Sequence, residues 1–206
     1  MSIIFYSAPW SSASPVASAL AELDVPHEKV TFDLAAGKHK EPEFLALNPN
    51  GKVPTLVVDG TPMFEALAIL TWLGECYGVS RGFWPAEKDP ARLTAMSWCS
   101  WSYVTYAANL MLLNVSRSER VSPELHNPAL TVHSKKELDR LLGMLEARLG
   151  KQKYMLGASY SLVDLVVASV VGYGVFVGVP VDGFPRVKAW LADFQSRASY
   201  TSVLQS

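Results

Sequence analysis

Residues 48–60 read Asn-Pro-Asn-Gly-Lys-Val-Pro-Thr-Leu-Val-Val-Asp-Gly, a turn that leads into a short strand. The Asn-Pro and Asn-Gly pairs favour turns, because proline restricts φ and glycine accepts positive φ. The run from Thr55 to Val58 is β-branched and apolar, which is typical of strands. If the Val53-Pro54 bond is cis, the main chain of Val53 turns toward the side of the sheet, where an extended peptide could pair with it. A trans bond is commoner, so the surrounding elements decide between the two.

The residues before this stretch predict a β-α-β unit. Residues 2–7 form a short apolar run, and residues 27–32 alternate as a second strand. Between these two strands, apolar residues recur at helical spacing from Val16 to Leu23. Two strands joined by a helix pair in parallel through a right-handed crossover.

The residues after it predict a β-β-α unit, followed by helices. Pro62 to Phe64 form a fourth strand, antiparallel to the third, and a helix begins at Glu65. The order of elements is thioredoxin-like and covers residues 1–78. Residues 79–89 are predicted to be a linker, and residues 90–206 an all-helical domain. The expected fold class is therefore α/β followed by all-α.

The composition excludes several classes of protein. Half of the 206 residues are apolar, 18% are charged and the formal net charge is −1. Such a chain is globular, and no charge bias indicates nucleic acid or an anionic membrane as a partner. Cys76 and Cys99 lie in helical segments and are predicted to be small core residues, which suits a reducing compartment. We read no signal peptide, so a cytoplasmic location is expected.

One apolar run has the length of a membrane span. It extends from Leu162 to Val181 and contains Asp164, three glycines and Pro180. These residues favour a buried helix followed by a loop, and no membrane partner is expected.

Three motifs in this order resemble those of the cytosolic glutathione transferase superfamily, with a serine at the thiol-activating position as in bacterial-type members. They are residues 48–56, residues 65–70 and the capping-box motif of residues 160–164. The resemblance covers the whole chain. It implies an enzyme of detoxification, a cytoplasmic homodimer, that joins glutathione to a small hydrophobic electrophile. Glutathione is then a co-substrate, and no cofactor or metal is implied.

The resemblance also implies a glutathione site. The Val53-Pro54 bond would be cis, and Val53 would pair with the cysteinyl main chain of glutathione. Glu65 and Ala66 stand at a helix N-terminus, where the γ-glutamyl carboxylate would bind. The family usually has Glu-Ser at this point, so Ala66 lacks a hydroxyl. His39 and Lys52 are the candidates for the glycyl carboxylate.

Thiol activation in this family uses a hydroxyl or thiol after the first strand. Aligned on Pro9 and on the end of the first helix, Ser12 takes the position of the cysteine in beta-class enzymes, and Ser11 lies beside the serine of zeta- and theta-like enzymes. Ser12 is favoured slightly over Ser11, and N-capping is the alternative role for both. Ser7 lies near the position of the tyrosine in mammalian-type classes, so that tyrosine is absent. No cysteine stands between Tyr6 and Val16, which argues against disulfide exchange.

Aromatic residues crowd the long helix predicted after Pro90, where they suit a core, a dimer contact or a substrate wall. The resemblance makes that helix one wall of the electrophile pocket, across from Trp10. The lining candidates on the helix are Tyr103, Tyr106 and Met111.

Two other functions stay open. A glutathione-dependent isomerase of the zeta type would carry Ser-Ser-Cys and nearby arginines, and residues 10–17 contain neither Cys nor Arg. A non-enzymatic binding or scaffold protein of the same family is favoured by Ala66 and opposed by Val53, Pro54 and Glu65.

Overall fold

The structure is a computed structural model that describes residues 1–204. The strands are β1 (Ile3–Ser7), β2 (Glu28–Thr31), β3 (Thr55–Val58) and β4 (Thr61–Phe64). The α-helices are α1 (Ser14–Glu22), α2 (Pro42–Leu47), α3 (Ala66–Leu73), α4 (Ala91–Ser100), α5 (Ala107–Arg117), α6 (Pro128–Leu149), α7 (Leu162–Phe176), α8 (Pro185–Gln195) and α9 (Ala198–Leu204).

The strands form one sheet in the order β2-β1-β3-β4. Strand β1 is parallel to β2 and antiparallel to β3, and β3 is antiparallel to β4. The thioredoxin-like prediction is confirmed, as is the helical remainder. Phe5 and Leu56 are fully buried. On the other face of β1, the ring of Tyr6 contacts those of Phe32 and Phe44.

The chain divides into two compact units. The first contains residues 1–86 and the C-terminal residues from Ser196 onward, and the second is Glu87–Gln195. The prediction assigned all residues after Asp89 to the helical domain, whereas α9 packs against α1. The Arg197 guanidinium pairs with the Glu22 carboxylate, which also accepts a hydrogen bond from the hydroxyl of Ser199. The ion pair between Arg197 and Glu22 holds α9 in the first unit, and no apolar periodicity in the sequence predicts this contact.

The predicted helix from Pro90 to Asn114 is interrupted. A π-helical segment, Trp101–Tyr106, separates α4 from α5. Because a π-turn adds a residue to the helical repeat, it changes the face on which later residues lie.

Helix α7 forms the centre of the second unit. Leu162 to Ala168 are buried without exception, and no helix of residues 1–204 is long and apolar enough to cross a membrane. Asp164 is 0% exposed. Its Oδ1 accepts from the Met155 N–H at 2.7 Å and from Trp190 Nε1 at 2.9 Å, and its Oδ2 accepts from the N–H of Ser161 at 2.9 Å and from its hydroxyl at 2.8 Å. Burial raises the pKa of the Asp164 carboxyl, and these hydrogen bonds act in the opposite direction.

The two cysteines differ in environment. Cys99 is buried as predicted, and burial, with Asp164 nearby, raises the pKa of its thiol to about 12. Cys76 is exposed, so its assignment to the core was wrong. It follows α3 in a π-helical turn, Gly74–Gly78, which continues the helix past its apolar stripe.

Candidate functional site

The loop that leads into β3 is organised by the side chain of Asn48, which is 2% exposed. Its Nδ2 donates to the carbonyl oxygen of Lys52 at 2.7 Å and to Thr55 Oγ1 at 3.0 Å. Its Oδ1 accepts from the N–H of Asn50 at 3.0 Å. Sequence reasoning treated Asn48 only as a turn residue and missed this role, for which the Asn-Pro-Asn repeat was the available signal.

At the end of this loop the Val53-Pro54 peptide bond is cis, as the resemblance implied. Ser12 lies 41 positions earlier in the chain, and its Oγ donates to the carbonyl oxygen of Val53 at 2.9 Å. The structure therefore brings together Ser12 and Val53, two of the residues predicted for the site. Ser12 is exposed, whereas Val53 and Pro54 are buried.

Ser11 is held within its own loop. Its Oγ donates to the carbonyl oxygen of Ala8 at 2.7 Å and accepts from the N–H of Ala13 at 3.1 Å. This hydroxyl closes the turn that precedes α1, so it has a local structural role close to the predicted capping. Either serine has to release a carbonyl before it can donate to a thiolate.

Glu65 and Ala66 lie at the edge of the sheet beside Pro54. Thr55 pairs with Phe64, so continuing the antiparallel register places Glu65 opposite Pro54. Glu65 has a φ of 71°, in the left-handed region that residues other than glycine rarely adopt. Ala66 begins α3, whose first N–H groups have no partner within the helix. An anion at this point is favoured by those groups and by the helix dipole.

His39 and Lys52 lie on two segments that pack together. A Cβ at Gly51 would come within 2.9 Å of the carbonyl oxygen of His39 and of Lys40 Nζ. Lys40 Nζ donates to the carbonyl oxygen of Gly51 at 2.8 Å, a contact that the sequence did not reveal. His39 is half-buried, and its Nδ1 has no hydrogen-bond partner in the part of the chain that the structure describes. Lys52 is exposed.

The predicted pocket residues differ in exposure. Trp10 in the first unit is 79% exposed, Met111 in the second is 67% exposed and Tyr103 is half-buried. Tyr106 is 0% exposed and packs against Gly174, where a Cβ would lie 2.6 Å from its Oη. The prediction that Tyr106 lines a substrate pocket is therefore wrong, because none of its surface is exposed.

Comparisons with known proteins agree with this fold. The family model for the N-terminal domain of glutathione S-transferase matches residues 1–75, and that for the C-terminal domain matches residues 103–198. Glutathione S-transferase GstB from Escherichia coli is 31% identical, over 90% of this chain and 88% of its own length.

Solved structures share the fold. Glutathione transferase F7 from Populus trichocarpa is 28% identical, with a TM-score of 0.79 over 98% of both chains. Glutathione transferase URE2P6 from Phanerochaete chrysosporium, in complex with oxidised glutathione, has a TM-score of 0.86 over 98% of this chain and 94% of its own, at 22% identity. Since both domain models match, and GstB is similar over most of its length, this chain belongs to the glutathione S-transferase family.

Proposed function

We propose that this protein conjugates glutathione to a hydrophobic electrophile. One observation carries the proposal: the Ser12 hydroxyl donates a hydrogen bond to the carbonyl oxygen of Val53. The strand register puts Glu65, and with it the N-terminus of α3, beside Pro54, the residue after Val53. A main-chain edge, a hydroxyl and an anion-binding helix terminus are the groups that a thiol-containing tripeptide with a terminal carboxylate requires. The fungal neighbour was solved with oxidised glutathione, which supports the same ligand here.

The hydroxyl activates the thiol in this proposal. A free cysteine-type thiol has a pKa of about 8.5, and the thiolate is the nucleophile. Ser12 is the first candidate donor because its hydroxyl already lies at Val53, where the cysteinyl residue would pair. An incoming peptide N–H would pair with the carbonyl of Val53, and the charged thiolate would draw the Ser12 hydroxyl from that carbonyl to the sulfur. Ser11 is the second candidate, since its hydroxyl would have to leave the carbonyl of Ala8.

Charged groups fix the two ends of the tripeptide. The N-terminus of α3 at Ala66 would bind the γ-glutamyl carboxylate, and the exposed Glu65 carboxylate would accept from the ammonium group beside it. Lys52 and His39 would face the glycyl carboxylate. Lys40 is held by the carbonyl of Gly51 and supports the loop instead.

The candidate contacts for the electrophile are Trp10 in the first unit and, in the second, Tyr103 and Met111; all three keep exposed or half-exposed surface. A homodimer in the cytoplasm, acting in detoxification, completes the proposal. These features follow from membership of the family rather than from any contact within the chain.

The test is conjugation of glutathione to an activated aryl chloride, combined with retention on immobilised glutathione. We expect turnover above the uncatalysed rate and elution by free glutathione. A folded protein that neither binds the resin nor accelerates conjugation would overturn the proposal.

A second function is favoured by Ala66 alone. Without the usual serine hydroxyl, the site loses a hydrogen bond to the carboxylate, and such a bond is worth roughly 1.5–3 kcal/mol. A binding or scaffold protein tolerates that loss more readily than an enzyme. Retention on the resin without any conjugation would favour this function.

A further inference from the structure

A cavity of about 70 Å³ lies under the start of α1. None of the residues proposed to bind glutathione lines it, and one lining residue, Trp10, is also a proposed contact of the electrophile. A single water needs only about 10–15 Å³, so the cavity has room for a small polyatomic group. The polar side chains that line it are those of Ser7, Ser14, Lys29 and Thr31. Ala13, Ala17 and Val203 close the remaining sides together with the loop of residues 8–10.

The Ser7 hydroxyl is the unusual group in this cavity. Ser7 is 4% exposed, and its Oγ has no hydrogen-bond partner within residues 1–204. A buried hydroxyl without a partner costs about 1–3 kcal/mol, and a bound water, ion or ligand that accepts from it removes that cost.

The strand register directs the polar side chains to one face. Along β1, Phe5 and Ser7 share the buried face, because side chains alternate along a strand. Phe5 pairs with Lys29 and Ser7 pairs with Thr31, so these two β2 residues lie on the face of Ser7. Helix α1 covers that face with Ala13, Ser14 and Ala17, and the Ser7 side chain therefore points into the cavity.

The electrostatics of this cavity favour an anion. The N-terminus of α1 carries partial positive charge and Lys29 a full one, while the three hydroxyls can all donate. Among the residues that the structure describes, none of the side chains lining the cavity is a carboxylate. In the neighbouring groove, Asp33 Oδ1 accepts from the N–H of Ala35 at 2.9 Å, and Glu28 lies on the opposite face of β2.

We propose that this cavity is a binding site for a phosphate group, free or as an ester, held by the hydroxyls of Ser7, Ser14 and Thr31 and by the Lys29 ammonium. A tetrahedral oxyanion offers several acceptors at once, which matches several donors converging from β1, β2 and α1. The neighbouring groove shares Ala8, Pro9 and Thr31 with the cavity and adds Phe32 and Leu34. The apolar body of a phosphate ester would lie in that groove.

The experiment is a calorimetric titration of the 206-residue protein, at constant ionic strength, with inorganic phosphate and separately with phenyl phosphate. Saturable binding is expected. Loss of one hydrogen bond to an anion corresponds to a tenfold or greater weakening, so Ser7→Ala should weaken both ligands by about tenfold, and Lys29→Gln by at least as much. Ser18→Ala is the matched control, because Ser18 is a buried serine of α1 that does not line the cavity.

The two ligands separate the possible sources of the phosphate. Tighter binding of phenyl phosphate than of inorganic phosphate would assign the site to an ester, and equal binding would assign it to the free ion. The proposal is overturned if neither ligand binds saturably, or if Ser7→Ala binds both as the Ser18→Ala protein does. Circular dichroism of each variant establishes that it is folded.

Discussion

The hydroxyl of Ser12 donates to the carbonyl oxygen of Val53 at 2.9 Å and so connects the loop after β1 to the entry of β3. In the proposed reaction the same carbonyl receives a main-chain N–H of glutathione. This carbonyl has two lone pairs and can accept from both, so in the proposal it is the charged thiolate, a stronger acceptor, that draws the Ser12 hydroxyl to the reacting sulfur.

Replacing Ser12 by Ala should raise the pKa of the bound glutathione thiol. A hydrogen bond to a charged group is worth roughly 1.5–3 kcal/mol, which corresponds to a rise of about one to two pKa units. Turnover at pH 6.5 should fall about 10-fold or more, with a smaller loss at pH 9, where the thiolate forms unaided. The measurement is the pH profile of kcat/KM, and Ser11→Ala is the paired variant. If only Ser11→Ala shifts the profile, the roles of the two serines are reversed.

Replacing Ala66 by Ser should tighten glutathione binding by about tenfold or more, since one hydrogen bond to the carboxylate is added. The gain should appear in the dissociation constant measured by calorimetry. Ala68→Ser, two positions later in the first turn of α3, adds a hydroxyl on the opposite side of the helix and should change nothing. Equal effects of the two variants would mean that the carboxylate does not bind at Ala66.

Replacing Asp164 by Asn should destabilise the protein by about 2–4 kcal/mol. The carboxylate accepts from the N–H and hydroxyl of Ser161, and an amide NH₂ placed there would face these donors. Denaturant unfolding measures the change. Ser161→Ala removes only one of the four hydrogen bonds to the Asp164 carboxylate and should lower the free energy of unfolding by about 1 kcal/mol. An Asn variant as stable as the parent would show that the carboxylate is not needed as an acceptor.

Replacing Tyr106 by Phe should stabilise the protein by about 1 kcal/mol, because the Tyr106 hydroxyl is buried without a hydrogen-bond partner among the described residues. Gly174→Ala should do the opposite, since its Cβ would lie 2.6 Å from that hydroxyl. Thermal unfolding of both variants checks this. A destabilised Phe variant would reveal a partner for the hydroxyl.

An aromatic disulfide reagent should modify Cys76 alone in the native protein and both cysteines after unfolding. The pKa of the Cys76 thiol is raised, by partial burial and by the Glu75 carboxylate. The thiolate fraction, and with it the rate, should therefore grow about tenfold per unit between pH 7 and pH 9. Cys76→Ser is the control and should abolish the native reaction. Reaction of Cys99 in the folded protein would contradict its burial.

Much of the fold could be predicted from sequence, because it rests on local signals. Helical periodicity located α1, the β-branched run located β3, and the order of elements indicated the thioredoxin-like sheet. The interruption of the helix at Trp101–Tyr106 was missed, since a periodicity argument assumes one uniform repeat. Tyr106 was assigned to a pocket from the family resemblance alone, although it lies in the core.

The site was predictable only in part, for a related reason. Val53 and Glu65 stand in motifs whose residue types carry the chemistry. The roles of Asn48 and Lys40 depend on which carbonyl each side chain reaches, and no local pattern contains that information. The cavity at Ser7 likewise depends on strand register, which pairs residues distant in sequence.

Helix α9 makes the first unit depend on both ends of the chain, and this has a consequence for synthesis on the ribosome. Glu22 is made early, whereas its partner Arg197 emerges only after the whole helical unit. N-terminal domains usually complete folding first during translation, and this one cannot gain α9 until the whole second unit has been synthesised. Nascent chains that stop before Ser196 should therefore have a first unit that lacks α9 and its packing on α1. We expect proteases to cleave that unit faster than they cleave the 206-residue protein.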